Sequence, residues 1–390
     1  GLEDAREKIE KETRPPGSAE RLAAIKAEME ELNKDLKAIP TGPVVFAAAT
    51  HFPRQGRFTA TDGKPRPIHL LHRGDLRTPG EEMDPGAPPL WKNVRFRFSE
   101  ESGADESRAR KELAQYLTSQ ENPLLWRSIA NRLVQWTLGR PLVGTPNDFG
   151  KGGMIPTHPE LLDFLAACLR DDPDQSLKSV IRMLVTSDAY RRSSTHHESN
   201  AALDGDNSFF WRAERRRLSA EEFRDSVLAV SGALQLDKRG GPGFQDFVIE
   251  KPQHSPHYEY HLHDPENPES HRRTVFRFVV RSQPQPMLTT LDCADPSMSV
   301  AQRDESTTAL QALTQWNHQF VEAMSRRFAK RLKEEAGETV DEKVALACRL
   351  ALGRLPSEDE RSILSDLLQK EGSESFARVV FNMNAFVYVD

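Results

Sequence analysis

Between His254 and His263 the sequence reads HSPHYEYHLH, four histidines within ten residues, with His271 a short loop further on. In an extended backbone successive side chains alternate, so His257, Glu259, His261 and His263 would share one face and Tyr258, Tyr260 and Leu262 the other. Neutral imidazoles beside a carboxylate suit zinc, copper or iron, with zinc–ligand bonds near ~2.0–2.2 Å. His254 would add a ligand from the preceding turn. Pro252, Pro256, Pro265 and Pro268 break up the stretch, and histidine is common in wet loops. A hydrated surface segment is therefore the preferred reading and a metal centre the alternative.

A second stretch, RRTVFRFVVRSQPQPMLTTLDCADPS, begins at Arg272. Read as a strand, it alternates Arg273, Val275, Arg277 and Val279 against Thr274, Phe276, Phe278 and Val280. Arg281, Asp292 and Asp295 then fall at strand and loop ends, where binding residues concentrate. An arginine with two carboxylates would grip a sugar or an anion, or lock a loop by ion pairs, and the structural role is preferred. Cys293 has no neighbouring base in the sequence, which argues against a nucleophile. GTPNDFGKGG is not a phosphate loop: Gly144 and Gly150 are too far apart, Gly152 follows Lys151, and no strand precedes. G-x-S-x-G and H-E-x-x-H are both missing from the sequence, and pairs such as EE and DD read as solvated helix faces.

The elements that must hold these residues read as three regions. Residues 1–38 form a charged helical hairpin around RPPGS, with Ser18 placed to cap the second helix. Residues 39–104 are loop-rich, with short strands at VVFAAAT and IHLLH. Residues 105–390 are helical, with a β and loop insertion at about 236–300. Thr157 with Glu160, Ser219 with Glu222 and Ser357 with Glu360 have capping-box spacing. One pattern recurs: a helix ending at Leu-Gly-Arg, a second capped helix, and a third ending near tyrosine. Gly139 and Gly353 sit where a helix C-terminus needs a left-handed residue, so the pattern reads as a duplicated three-helix unit.

Composition bounds the function. The net charge is −6, with 29% charged and 37% hydrophobic residues interspersed, and no basic stripe with aromatic platforms marks a nucleic-acid surface. RAERRR, the densest basic patch, reads as a solvated helix flank. No apolar run approaches the ~20 residues that span a bilayer. The opening GLEDAREKIEKETRP lacks the apolar core of a signal peptide, so an exported protein would carry its leader upstream. The three cysteines form no C-x-x-C-H, and the chain attaches no covalent haem.

Several ordered motifs carry a resemblance: NPLLWRSIANRLVQWTLGRPLVGTPNDFG, THPELLDFLA, SLKSVIRMLVTSDAYRRSS, HRRTVFRFVVRSQPQPMLTTLDCADPS and TTALQAL. Together they resemble the planctomycete surface domain family, a domain of unknown function that follows planctomycete cytochrome-type domains in large exported proteins. HLLHRGDLRTPGEEMDPG resembles the segment that usually precedes it. The similarity runs from about Val44 to Asp390, with one departure: DPDQ stands where the family often has Gly-Trp before the SLK helix. The resemblance implies an extracytoplasmic chain, periplasmic or at the cell surface, with a c-type cytochrome domain of the same polypeptide as a possible partner. It brings no catalytic residues with it.

The expected fold is mainly α: a multi-helix body with a small β element from the 44–72 and 257–280 regions. The expected function is a scaffold or carbohydrate-binding accessory module, with His271, Arg281, Asp292 and Asp295 as candidate ligand-binding residues. One alternative is a metal- or redox-assisted enzyme acting on extracellular polysaccharide through His254, His257, His261 and His263. The other is a docking partner for a haem domain.

Overall fold

The structure, a computed structural model, describes residues 17–39, 56–57, 64, 66–86, 98–99, 103, 105–250 and 255–389. The chain forms two compact units, residues 1–116 and 117–390. It is mainly α.

In the first unit, helix α1 (Ser18–Ala38) exposes Leu22, Ile25, Met29, Leu32 and Leu36, which repeat three and four residues apart. Its N-cap is Gly17, left-handed at φ 82°, with no side-chain cap. Ser18, the expected cap, is instead the first helical residue. The other helix of the expected hairpin and the VVFAAAT strand lie outside the described residues. IHLLH supplies strand β1 (His69–Leu71), antiparallel to β2 (Pro79–Glu82). Helix α2 (Glu106–Leu117) runs up to the boundary between the units.

The second unit opens with α3 (Pro123–Leu138), α4 (Pro159–Asp171) and α5 (Leu177–Val185). Asn122 caps α3 by accepting from the Leu124 and Leu125 N–H groups, Pro123 pre-sets the first turn, and Gly139 ends the helix at φ 86°. The apolar faces of the three helices form one core: Trp126, Leu133 and Val134 against Leu162, Leu165 and Leu169, closed by Val180 and Leu184. Each buried leucine contributes roughly 1.5–3 kcal/mol. Thr157 does not cap α4 as expected. Its N–H and hydroxyl are both spent on the Leu142 carbonyl, at 2.9 and 3.3 Å, and His158 occupies the cap position without a side-chain bond.

After a short α6 (Glu198–Ala201) and strand β3 (Arg216–Arg217), helix α7 (Ala220–Val230) enters a larger core. That core also takes α8 (Pro286–Thr290), α10 (Gln319–Glu335), α11 (Val340–Leu352), α12 (Glu358–Asn382) and α13 (Asn384–Val387). Helix α9 (Ala309–Asn317) precedes α10. Phe328 and Phe381 stack at 5.5 Å in its centre. Gly353 ends α11 at φ 69°, Ser357 and Glu360 form the expected capping box, and α12 breaks at Gly372 (φ 80°, ψ 172°). The order helix, left-handed glycine, helix, break, helix thus recurs, each copy in its own core. Strand β6 (Tyr388–Val389) pairs antiparallel with β3, Arg216 facing Val389, which ties the chain end to the entrance of α7.

The insertion corrects two expectations. Strand β4 (Val248–Glu250) pairs with β5 (His257–Glu259), and β5 stops there because Tyr260–Leu262 turns as a 3-10 segment. The turn sets the Tyr260 ring against Phe247, and its hydroxyl donates to the Gln283 carbonyl at 2.8 Å. TVFRFVV is not a strand either: Thr274–Phe276 is a 3-10 turn, and Arg277 makes only an isolated bridge to Phe244. The Phe276 and Arg277 N–H groups close the turn on the Arg273 and Thr274 carbonyls, and α7 holds the start of the segment. Asp225 accepts from Thr274 N–H and hydroxyl at 2.7 and 2.6 Å, and Arg224 donates to the Arg272 and Ser270 carbonyls.

Candidate functional site

The local sequence LSAEEFRDSV sets up one wall of a cleft. Ser219 accepts from Glu222 N–H at 3.3 Å and the Glu222 carboxylate accepts from Ser219 N–H at 2.9 Å, which starts α7 at a defined residue. From that start Phe223, Arg224, Val227 and Leu228 turn inward. Glu221, Glu222, Asp225 and Ser226 face a cleft of about 650 Å³. The segment from Arg273 to Val279 lines the cleft as well, with Leu218 and Leu288 adding apolar surface and Cys293 and Arg303 a polar edge.

Every acid in the cleft is engaged. Arg303 forks onto Glu221 at 2.5 and 2.9 Å, and Arg216 forks onto Glu222 at 2.7 and 3.1 Å. Asp225 accepts from Thr274 and, at 3.4 Å, from Arg273 Nε. Burial pushes the Glu221 and Glu222 carboxyls up, but the facing guanidiniums outweigh it and hold both below the usual glutamate value. The Cys293 thiol donates to Glu221 Oε1 at 3.5 Å, and burial together with that carboxylate pushes it up to about 11. At neutral pH the cleft therefore presents carboxylates, guanidiniums and an un-ionised thiol. Neither Glu221 nor Glu222 is held protonated, and Cys293 is not held as a thiolate.

Beneath the insertion lies a smaller chamber of about 30 Å³, lined by Arg224, Asp246, Tyr260, His263, His318 and Gln319 among others. That is room for roughly one water molecule. His263 Nε2 is buried and has no hydrogen-bond partner in the protein. Burial is the main cause holding the His263 and His318 imidazoles below the usual histidine value. Arg277 grips Asp246 with Nε 2.9 Å from both carboxylate oxygens and reaches the Tyr260 hydroxyl at 3.2 Å.

The histidines singled out in the sequence do not share a face. His257 is exposed on β5, and His261 is exposed with Nδ1 3.3 Å from Glu259. His263 turns to the small chamber, and His254 lies outside the described residues. Among the described residues no three histidine, cysteine, aspartate or glutamate side chains are grouped to hold a metal ion. The other four candidates share no hydrogen-bond partner. His271 is buried with Nε2 2.9 Å from the Pro265 carbonyl. Arg281 is exposed. Asp292 is bound to Ser306 and Gln311. Asp295 is exposed and accepts from Ser297 N–H at 2.8 Å.

What the sequence reading missed is the acid cluster of α7. Its signal was present in SAEEFRD as a capping serine with acids two, three and six residues after it. The paired glutamates read as a solvated face because their cover, residues 273–279 and Arg303, comes from distant sequence.

No described helix is long and apolar enough to cross a membrane. No curated protein and no solved structure matches the chain. A family model described as PSD1, a protein of unknown function (DUF1553), matches residues 109–368. That span takes in the capped helices, both Leu-Gly-Arg turns and the whole lining of the cleft, and on it the chain belongs to the PSD1 family.

Proposed function

We propose that the chain is a binding and scaffolding domain whose cleft takes a neutral, hydroxyl-rich ligand, a carbohydrate, and that it performs no chemistry there. The observation that carries this reading is the charge balance of the cleft. Glu221, Glu222 and Asp225 are set against Arg273, Arg277 and Arg303, and each acid is already hydrogen-bonded. A strongly charged ligand would meet like charges wherever it lay. Sugar hydroxyls both donate and accept, so they can bridge a carboxylate and a guanidinium without leaving either unpaired. Glu221 and Glu222, held ionised by their arginines, and the un-ionised thiol favour binding over hydrolysis, since hydrolysis of a glycosidic bond needs one carboxyl to carry a proton. The volume is that of a ligand pocket rather than a packing defect. In the full polypeptide this domain would hold polysaccharide beside a c-type cytochrome domain outside the cytoplasm.

The test is a glycan array of neutral and acidic plant and algal oligosaccharides, followed by calorimetry on any hit. Retention of neutral glycans, weakened about tenfold or more by Asp225→Ala, is the expected result. No retention of any glycan, or release of reducing ends from a retained one, refutes the reading.

A further inference from the structure

One edge of the cleft is a loop tied down only at particular points. Residues 293–305 carry no regular structure, and none of their side chains is fully buried. Their base is closed. Asp292, left-handed at φ 64°, accepts from Ser306 N–H at 2.8 Å, from its hydroxyl at 2.9 Å and from Gln311 Nε2 at 2.8 Å. Arg217 also donates to the Ser306 carbonyl at 2.8 Å. Closed ends around an irregular surface segment define an Ω-loop. Beyond that base, the loop's side-chain tie to α7 is the Arg303–Glu221 fork, with the longer Cys293 contact at 3.5 Å beside it.

We infer that residues 293–305 form a lid on the cleft, hinged at Asp292 and Ser306, and that the Glu221–Arg303 ion pair is its latch. A bidentate pair has a defined geometry, yet between partly exposed groups its net contribution is small. It therefore holds the closed position and still yields to ligand hydroxyls, which take over the bonds of Glu221 and Arg303 when the lid opens. The hinge does not open with the latch, because the Asp292 carboxylate keeps its bonds to Ser306 and Gln311. The identity of the ligand rests on the carbohydrate reading above, whereas the lid and latch do not.

Amide hydrogen exchange on the full chain tests the inference. The proteins compared are the wild type, Arg303→Met, Glu221→Gln and the charge swap Glu221→Arg with Arg303→Glu. Exchange of residues 294–305 should quicken about threefold in both single variants, the scale of a partly exposed ion pair. The swap should restore it, and the amides of α7 and of 306–311 should hold their wild-type rates. Unchanged exchange in the single variants overturns the inference, and so does acceleration that spreads through α7. Cellotetraose and xylotetraose serve as probes. A probe that binds without altering exchange of 294–305 also overturns it. If neither probe binds while the variants behave as expected, the lid and latch stand and the carbohydrate reading loses support.

Discussion

Asn131 lies wholly inside the first helical core, where its side-chain amide completes the backbone of another segment. Nδ2 donates to the Val143 carbonyl at 3.0 Å, and Oδ1 accepts from Val143 N–H at 2.8 Å. Asn131→Leu keeps the branched outline of the side chain but strands both Val143 groups away from water. The expected cost is about 2–4 kcal/mol, read as a lower denaturant midpoint with an unchanged slope. A loss under about 0.5 kcal/mol would show that this bond pair is dispensable. The histidines make a second prediction at this scale. Burial holds His263, His271 and His318 below the ordinary value, so the unfolded chain binds more protons than the folded one once pH drops towards about 6.5. Stability from these neutral imidazoles is complete above that pH and declines as pH falls through it. Melting curves between about pH 7.5 and 5 should show the decline, and His263→Gln should flatten part of it. A melting temperature constant across that range contradicts the assignment. Residue types were legible in the sequence here, but roles were not. Nothing in HSPHYEYHLH distinguishes exposed His257 from His263, because the difference comes from a turn made by the burial of Tyr260.

At the scale of the element, the two Leu-Gly-Arg turns test whether a repeated sequence has a repeated energetic cost. Gly139 and Gly353 are both left-handed, so a Cβ at either costs about 1–2 kcal/mol of backbone strain. Their surroundings differ. A Cβ on Gly353 meets nothing within 4 Å, whereas one on Gly139 comes 3.0 Å from Glu214 Cβ. Gly139→Ala should therefore destabilise more than Gly353→Ala in parallel thermal melts, and equal or inverted losses would refute the steric argument. Helices were the most readable part of this chain, since their period, caps and left-handed ends are local properties. The misread elements were those whose backbone is engaged from far away. Thr157 lost its capping role to the Leu142 carbonyl, and residues 274–276 lost their strand to Asp225 and Arg224, about fifty positions earlier.

The second unit as a whole is built on two helical cores and a small satellite. The satellite joins Phe247, Tyr260 and Val280, with Tyr258 packed against it. Nearby, Arg277 and Asp246 are paired with side chains only 7% and 9% exposed. Removing one partner from such a pair leaves a buried charge, so Asp246→Ala should cost about 3–5 kcal/mol, and the double change Asp246→Leu with Arg277→Met should recover much of that. The effect should be regional. Hydrogen exchange should quicken across the insertion from Phe244 to Gln283 while α3, α4 and α5 keep their protection, because they share no core residue with it. Loss of protection throughout the unit would mean that the insertion is integral to both cores.

By itself the sequence determined the mainly α class, the capping boxes at Ser219 and Ser357, the recurring Leu-Gly-Arg unit and, through its ordered motifs, the family. The helices, their caps and their left-handed ends depend on residues a few positions apart, where backbone geometry follows directly from side-chain type. Only the tertiary structure decided which polar residues meet. The acids of α7 became the wall of a cleft through contacts with Arg273, Thr274 and Arg303, while the more conspicuous histidines were dispersed by a single turn. Electrostatic environment depends on distance through space: Arg216 lies six positions from Glu222, but Thr274 and Arg303 lie roughly fifty and eighty positions from Asp225 and Glu221.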